Sequence, residues 1–490
     1  MNKPIRMMSI ACLVLFVALL LNVTYLQYVD AGHLNDRADN KRVRDAEFSR
    51  KRGAIVAGDS SVAESRKTSD QYDYQRLYEQ PRKYAQITGY FSYIYGRSGI
   101  ESSQNQILSG SDPRLFVNRV VDLVGNSQPK GGSVSLTVNP KAQDAAYDGL
   151  RALGTDTQGA VVALEPSTGK VLALTSSPTF NPNRLASHDF DKVTDAWKQL
   201  TGDQDRPLVD RGISEVYPPG STFKLVTAAA ALASGNYTPD TVVKGGARLD
   251  LPQTSTDLVN ENGSDCGGDS ITLTQALEVS CNVSFGDIGM KLGSDALREQ
   301  AEKFGFDDTS LEDLGGQARS RFPAAGKIDE PETALSAIGQ YDVAASPLQM
   351  AMVAAGIANG GTVMRPYVVD EVRAPDLSVL DKTTPEAYRR GAVSSAVARE
   401  LTGMMVKVVQ NGTGTTAQIP GVEVAGKTGT AQSSPSRPPY AWFVSFAPAD
   451  DPKVAVAVLV EDAGVERNAI SGSGLAAPIA KRVMQAVIGK

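Results

Sequence analysis

Residues 7–27 read MMSIACLVLFVALLLNVTYLQ, a run without a single charge. At about 1.5 Å per residue, a helix of this length covers the roughly 30 Å hydrocarbon core of a bilayer. Lys3 and Arg6 precede the run, so the positive-inside rule predicts an uncleaved anchor with residues 1–6 in the cytoplasm and everything after Tyr28 outside. A cleaved signal peptide needs a shorter apolar core and a small-residue cleavage site, and none is convincing before Asp30. From residue 30 to 80 the pattern turns polar and charged (Arg37, Asp39, Lys41, Arg42, Arg44, Asp45, Glu47, Arg50, Lys51, Arg52), which reads as a solvated stalk. A short helix is predicted over 115–124, an alternating strand over 134–138, and a helix over 140–153.

The texture changes at Gly159. AVVALEPSTGKVLALTSS is two apolar strands about a turn, a hairpin signal. Residues 221–235 form a helical pattern with Gly235 as its stop, and 271–293 are mostly helical. VEVAGKTGTAQ, YAWFVSFAP and KVAVAVLVED read as three successive strands, followed by a helix over 476–488. Strands at both ends with helices between them predict an α+β domain over 155–490, with residues 28–154 before it as a separate part.

The 490-residue chain carries 41% hydrophobic and 21% charged residues, which excludes wholesale disorder. A net charge of −6 leaves no basic footprint for nucleic acid. The only histidines are His33 and His188, and the only cysteines Cys12, Cys266 and Cys281. A His/Cys zinc site would need nearly all of them together. A Ser-His-Asp arrangement has one imidazole to draw on beyond the membrane-proximal region. In an exported domain Cys266 and Cys281 are expected to pair, closing a loop of about 15 residues, worth ~3 kcal/mol on the entropy model. Two unpaired thiols are the alternative.

With histidine nearly excluded, lysine is the natural base for a serine nucleophile. Ser-x-x-Lys on a helix puts both side chains on one face. The pattern occurs at Ser127–Lys130, Ser167–Lys170 and Ser221–Lys224. The first contains Pro129 in a loop and the second is the hairpin turn. Only Ser221–Lys224, after Tyr217-Pro218-Pro219-Gly220, opens a strong helix, whose N-terminus offers unpaired N–H groups. A buried lysine there can lose its proton. Ser-x-Asn occurs at Ser103–Asn105, Ser234–Asn236 and Ser280–Asn282, and Lys-Thr-Gly once, at Lys427–Gly429, on an apolar strand. A strand lysine beside Thr428 suits a carboxylate, and Gly429 suits close approach of a substrate backbone. Singly these motifs are weak. Their order and local structures together point to the trio of β-lactamases and penicillin-binding proteins.

On these motifs the chain resembles class B penicillin-binding proteins, and among them the actinobacterial penicillin-binding protein A group. Arg52-Gly53-Ala54-Ile55, Arg82-Lys83-Tyr84, Gly96-Arg97-Ser98-Gly99-Ile100-Glu101, Ile338-Gly339-Gln340, Ser346-Pro347-Leu348-Gln349, Ile357-Ala358-Asn359-Gly360-Gly361 and Trp442-Phe443 are similar to family segments. The stretch VAGDSS after Ile55 departs from the family's acidic-Arg-Asn-Gly run. The resemblance implies a transpeptidase fold, an antiparallel sheet flanked by helices with an all-helical subdomain, behind an extended pedestal. It implies a D,D-transpeptidase acting on peptidoglycan stem peptides, blocked covalently by β-lactams and needing no metal or cofactor. By that resemblance Ser221 is the nucleophile and Lys224 its base. Ser280 relays protons and Asn282 holds the substrate amide. Lys427, Thr428 and Thr430 hold the terminal carboxylate, beside Gly429. The N–H groups of Ser221 and Thr430 form the oxyanion hole. Residues 28–154 are too few for a glycosyltransferase beside a pedestal, so a separate membrane glycosyltransferase is the expected partner. The rivals are a serine β-lactamase, for which no convincing Glu-x-x-Leu-Asn segment lies between Ser280 and Lys427, and a non-catalytic scaffold.

Overall fold

The computed structural model describes residues 3–35, 41–116, 130–261, 263–432 and 437–490. The apolar N-terminal run is a helix over Lys3–Thr24, continued by a wider turn over Tyr25–Val29, with none of its apolar side chains covered by the rest of the chain. It is the one helix among the described residues long and apolar enough to cross a membrane, which suggests membrane anchoring. The helix predicted over 115–124 falls, beyond Phe116, outside the described residues.

A five-stranded antiparallel sheet runs in the order Ala425–Ala431, Tyr440–Ala447, Val454–Asp462, Gln158–Leu164, Val171–Ser177. Its strands are buried along nearly their whole length because both faces are covered. Pro140–Arg151 and Ala477–Ile488 pack on one face, through Ala142, Ala146, Leu150, Ile479 and Val483. Pro347–Ala358 and Ser395–Gln410 lie on the other, with Met350, Leu401 and Met404 in the same core as Trp442 and Leu459. The second helical layer adds Lys224–Ala233, Asn282–Leu292, Ser294–Lys303 and Glu330–Ala337.

A second, six-stranded sheet joins Ile55–Ala57, Ser60–Lys67, Tyr74–Tyr78 and Ser133–Leu136 to Val369–Arg373 and Val379–Lys382. Two of its strands therefore come from far beyond residue 154, and the helix Pro140–Arg151, before that point, covers the other sheet. The two parts interleave in sequence. The stretch VAGDSS is a tight hairpin in which Ala57 faces Ser60.

The charged stretch over 30–80 is not a solvated stalk throughout. Arg52 and Arg76 are buried and grip Glu101, itself without exposed surface, at 2.6 Å each. Arg52 also donates to Asn105 Oδ1 and lies over the Phe91 ring, 4.3 Å from its centroid. Local charge density could not reveal this, because the neutralising partner lies 49 residues away.

Asp210 is buried, and its Oδ2 has no hydrogen-bond partner among the described residues. Burial pushes its carboxyl up to about 7. The folded state therefore holds a proton that the unfolded chain releases near pH 4, so this group makes stability fall as pH rises from about 4 through 7. Asp210→Asn is expected to stabilise the protein little near pH 4 and most above pH 7, by about 4 kcal/mol, and to raise the Tm accordingly. Thermal melts across that range check it.

Candidate active site

The helix predicted over 221–235 begins with a tight turn, Gly220–Phe223, and becomes α-helical over Lys224–Ala233. Ser221 thus sits in the first turn, where backbone N–H groups lack a partner four residues back. Gly220 has φ +52°, and a Cβ there would come within 2.9 Å of the Ala431 side chain. A side chain at this position would wedge the serine turn away from the Lys427 strand. The segment before it is tied down: the Gly220 N–H donates to Gly339 O at 2.9 Å, and the Trp442 indole to Pro218 O at 3.0 Å.

The apolar stretch over 271–293 is two helices, Leu273–Glu278 and Asn282–Leu292, broken at Ser280. The break is a helix C-cap. The Ser280 and Cys281 N–H groups reach back to Leu277 O and Ala276 O, and Ser280 has φ +61°. Glycine usually fills this left-handed position. A serine held there carries backbone strain of order 1–3 kcal/mol, which clusters at functional sites.

Ser280 lies between the two lysines. Lys224 Nζ donates to Ser280 O at 2.7 Å, to Asn282 Oδ1 at 2.7 Å and to Ser280 Oγ at 3.3 Å. From the facing strand, Lys427 Nζ donates to Ser280 Oγ at 2.8 Å and to Thr428 O at 2.9 Å. Both lysines are fully buried, whereas Ser221 keeps some exposure. Burial, and next the charge of Lys427, holds the Lys224 amine well below its ordinary value, against an opposing pull from Glu261. Burial likewise brings Lys427 down to about 7, again opposed by Glu261. Burial therefore disfavours the charged form of Lys224, one helical turn from a partly exposed hydroxyl.

The remaining motif positions adjoin this centre, with two differences in physical reason. A Cβ at Gly429 would meet Thr222 Cγ2 at 2.9 Å and Pro219 O at 3.1 Å, so the glycine makes room for the serine turn. The Thr428 hydroxyl is paired at 2.6 Å with Thr413, a residue the motifs did not single out. Thr413 stands between two glycines in Gly412-Thr413-Gly414 and donates its N–H to Glu278 O, tying its loop to the helix before Ser280. Thr430, half-buried, ends the motif on the same strand.

Asn260 is a second residue that no local motif signals. Its Oδ1 accepts from the N–H groups of Asn282 at 2.9 Å and Val283 at 3.2 Å, and the Asn282 amide donates to Val259 O at 3.0 Å. Cys266 and Cys281 are bonded, which fixes the same loop to the residue between Ser280 and Asn282. Titration of the denatured, unreduced full chain is expected to find one free thiol, Cys12; three would contradict the pairing. The other motif matches are elsewhere: Lys170 pairs with Asp370, Asn105 accepts from Arg52, Asn236 N–H caps back to Ser234, and Ser127 lies outside the described residues.

Residues 159–485 match the family model for the penicillin-binding protein transpeptidase domain. Residues 52–134 match that for the penicillin-binding protein A dimerisation domain. The chain belongs to the penicillin-binding protein transpeptidases. It is 44% identical to the peptidoglycan D,D-transpeptidase PbpA of Mycolicibacterium smegmatis, over 100% of this chain and 99% of that one. PbpA of Mycobacterium tuberculosis is 43% identical over the same shares. Among solved structures, the ceftriaxone acyl-enzyme complex of M. tuberculosis penicillin-binding protein A superposes with a TM-score of 0.86 at 42% identity, covering 91% of this chain and 100% of that one. Its penicillin G acyl-enzyme complex gives 0.84 at 43% identity, over 90% and 100%.

Proposed function

We propose that this penicillin-binding protein is a peptidoglycan D,D-transpeptidase that works through an acyl-enzyme on Ser221, and that β-lactams acylate the same serine. The observation that carries the residue roles is the buried pair Lys224 and Lys427 meeting at Ser280, one turn from Ser221. Ser221 Oγ attacks the carbonyl of the penultimate D-Ala of a stem peptide and gives its proton to Lys224. The N–H groups of Ser221 and Thr430 take the developing oxyanion; one such donor is typically worth about 10²–10³ in rate. Collapse breaks the C–N bond, Ser280 passes a proton to the leaving amine, and D-Ala departs. An amine of a second stem peptide then takes the acyl group, with Ser280 relaying the proton in the other direction. Asn282 holds the donor amide, and Lys427, Thr428 and Thr430 hold the terminal carboxylate.

The N-terminal helix anchors the protein in the cytoplasmic membrane with the catalytic part outside, where stem peptides are. A separate membrane glycosyltransferase supplies the glycan strands.

The free enzyme needs a neutral Lys224 as base and a cationic Lys427 as carboxylate partner. The second-order rate of acylation by a penicillin is expected to trace a bell against pH. Its acid limb belongs to Lys224, and its alkaline limb falls near pH 7 as Lys427 loses its proton. Acylation that keeps rising to pH 9 would contradict the role given to Lys427.

A further inference from the structure

The second half of the reaction needs a second substrate, an amine that is a cation at neutral pH. Around Ser280 the buried charge is all of the wrong sign for it, since Lys224 and Lys427 both converge there. Among the described residues, one acidic side chain acts on both lysines. Glu261 follows Asn260 directly, and Asn260 is seated on Asn282 and Val283 through its side-chain oxygen. Its amide nitrogen donates in turn to Gly246 O and Ser264 O. The loop is fastened a second time by the bond from Cys266 to Cys281. Glu261 is therefore a solvent-exposed carboxylate next to the anchored Asn260, beside the Ser280 motif. Its charge is felt by both buried lysines. Among the described residues no cation lies within ion-pair distance of it, whereas nearby Asp257 faces Arg248 at 3.5 Å.

We infer that Glu261 is an acceptor-side specificity residue, which collects the ammonium form of the incoming amine at the mouth of the site. The inference rests on the transpeptidase reading above. At the rim the ammonium releases one proton to solvent. The nitrogen lone pair then forms the C–N bond to the acyl carbon, the bond from that carbon to Ser221 Oγ breaks, and the nitrogen's second proton passes by way of Ser280 to Oγ. The donor half needs no cationic amine to enter, so Glu261 bears on acylation only through its pull on the two lysines.

The test measures the two halves separately on the full-length protein in detergent. A thioester donor ending in D-Ala forms the acyl-enzyme, which partitions between water and an added amine. D-Alaninamide, largely cationic at neutral pH, and hydroxylamine, neutral there, are the two acceptors. The readout is the partition of the acyl-enzyme once formed. Glu261→Gln is expected still to form it, with its acylation pH profile moved to lower pH because the pull that raises both lysines is gone. It should lower the aminolysis-to-hydrolysis ratio with D-alaninamide by about 3- to 5-fold, the scale of one exposed charge pair, and leave the hydroxylamine ratio unchanged. Glu261→Lys should lower the D-alaninamide ratio further, and Glu261→Asp should restore part of it. Equal loss with both amines marks a structural effect and overturns the inference, as does no change with either. A fall in hydrolysis alone assigns Glu261 to water activation and also overturns it. Absence of any acyl-enzyme in the unsubstituted protein overturns the transpeptidase reading itself.

Discussion

Ser221→Ala is expected to abolish covalent labelling by a fluorescent penicillin and to fail to complement a strain lacking the enzyme, while the protein stays folded. No second hydroxyl stands in for it: Ser280 Oγ is held at 2.8 Å by the Lys427 amine, and Thr222, the next residue, is buried with its hydroxyl donating to Pro219 O at 2.7 Å. Alanine keeps the tight turn over Gly220–Phe223, so the melting temperature should move little. Full complementation by the alanine variant would instead favour a scaffold role, in which the nucleophile is dispensable.

The second large effect belongs to Lys224. Its amine is fully buried, its burial and the neighbouring Lys427 both disfavour the cation, and it donates to Ser280 and Asn282 together. Removing a positioned general base typically costs 10²–10⁴ in rate, so Lys224→Met should slow penicillin acylation by about 10³-fold. Lys224→Arg should do no better, since a guanidinium does not give up its proton at any working pH. Stopped-time labelling compares the three proteins. An arginine variant that acylates at near-normal rate would show that the position needs only a hydrogen-bonding cation and would take the base role away from Lys224.

The central sheet and its strands were legible because uninterrupted apolar runs such as KVAVAVLVED require cover on both faces, as the structure provides. The three motifs were legible because each sits where its local structure is dictated nearby: a helix start at Ser221, a helix break at Ser280, a strand at Lys427. What local pattern cannot carry is contact at long sequence range. The burial of Arg52 depends on Glu101, the seat of Asn282 on Asn260, and the hydroxyl of Thr428 on Thr413. Nothing within a helical turn of any of these residues announces its partner. The interleaving of the two sheets has the same origin, since Val369–Arg373 reads as an ordinary short strand until Ser133–Leu136 is seen beside it. Gly429 is a subtler case, in which the need for a glycine was legible and the neighbour requiring it was not.

A long-lived acyl-enzyme on Ser221 is the step on which the proposed reaction turns. Its most direct test incubates the full-length protein with a penicillin, follows intact mass over an hour, and maps the adduct by proteolysis. A single adduct is expected on the peptide containing Ser221, persisting for many minutes with the drug otherwise intact. Rapid loss of the adduct with steady consumption of the drug, or an adduct on any other residue, would contradict it.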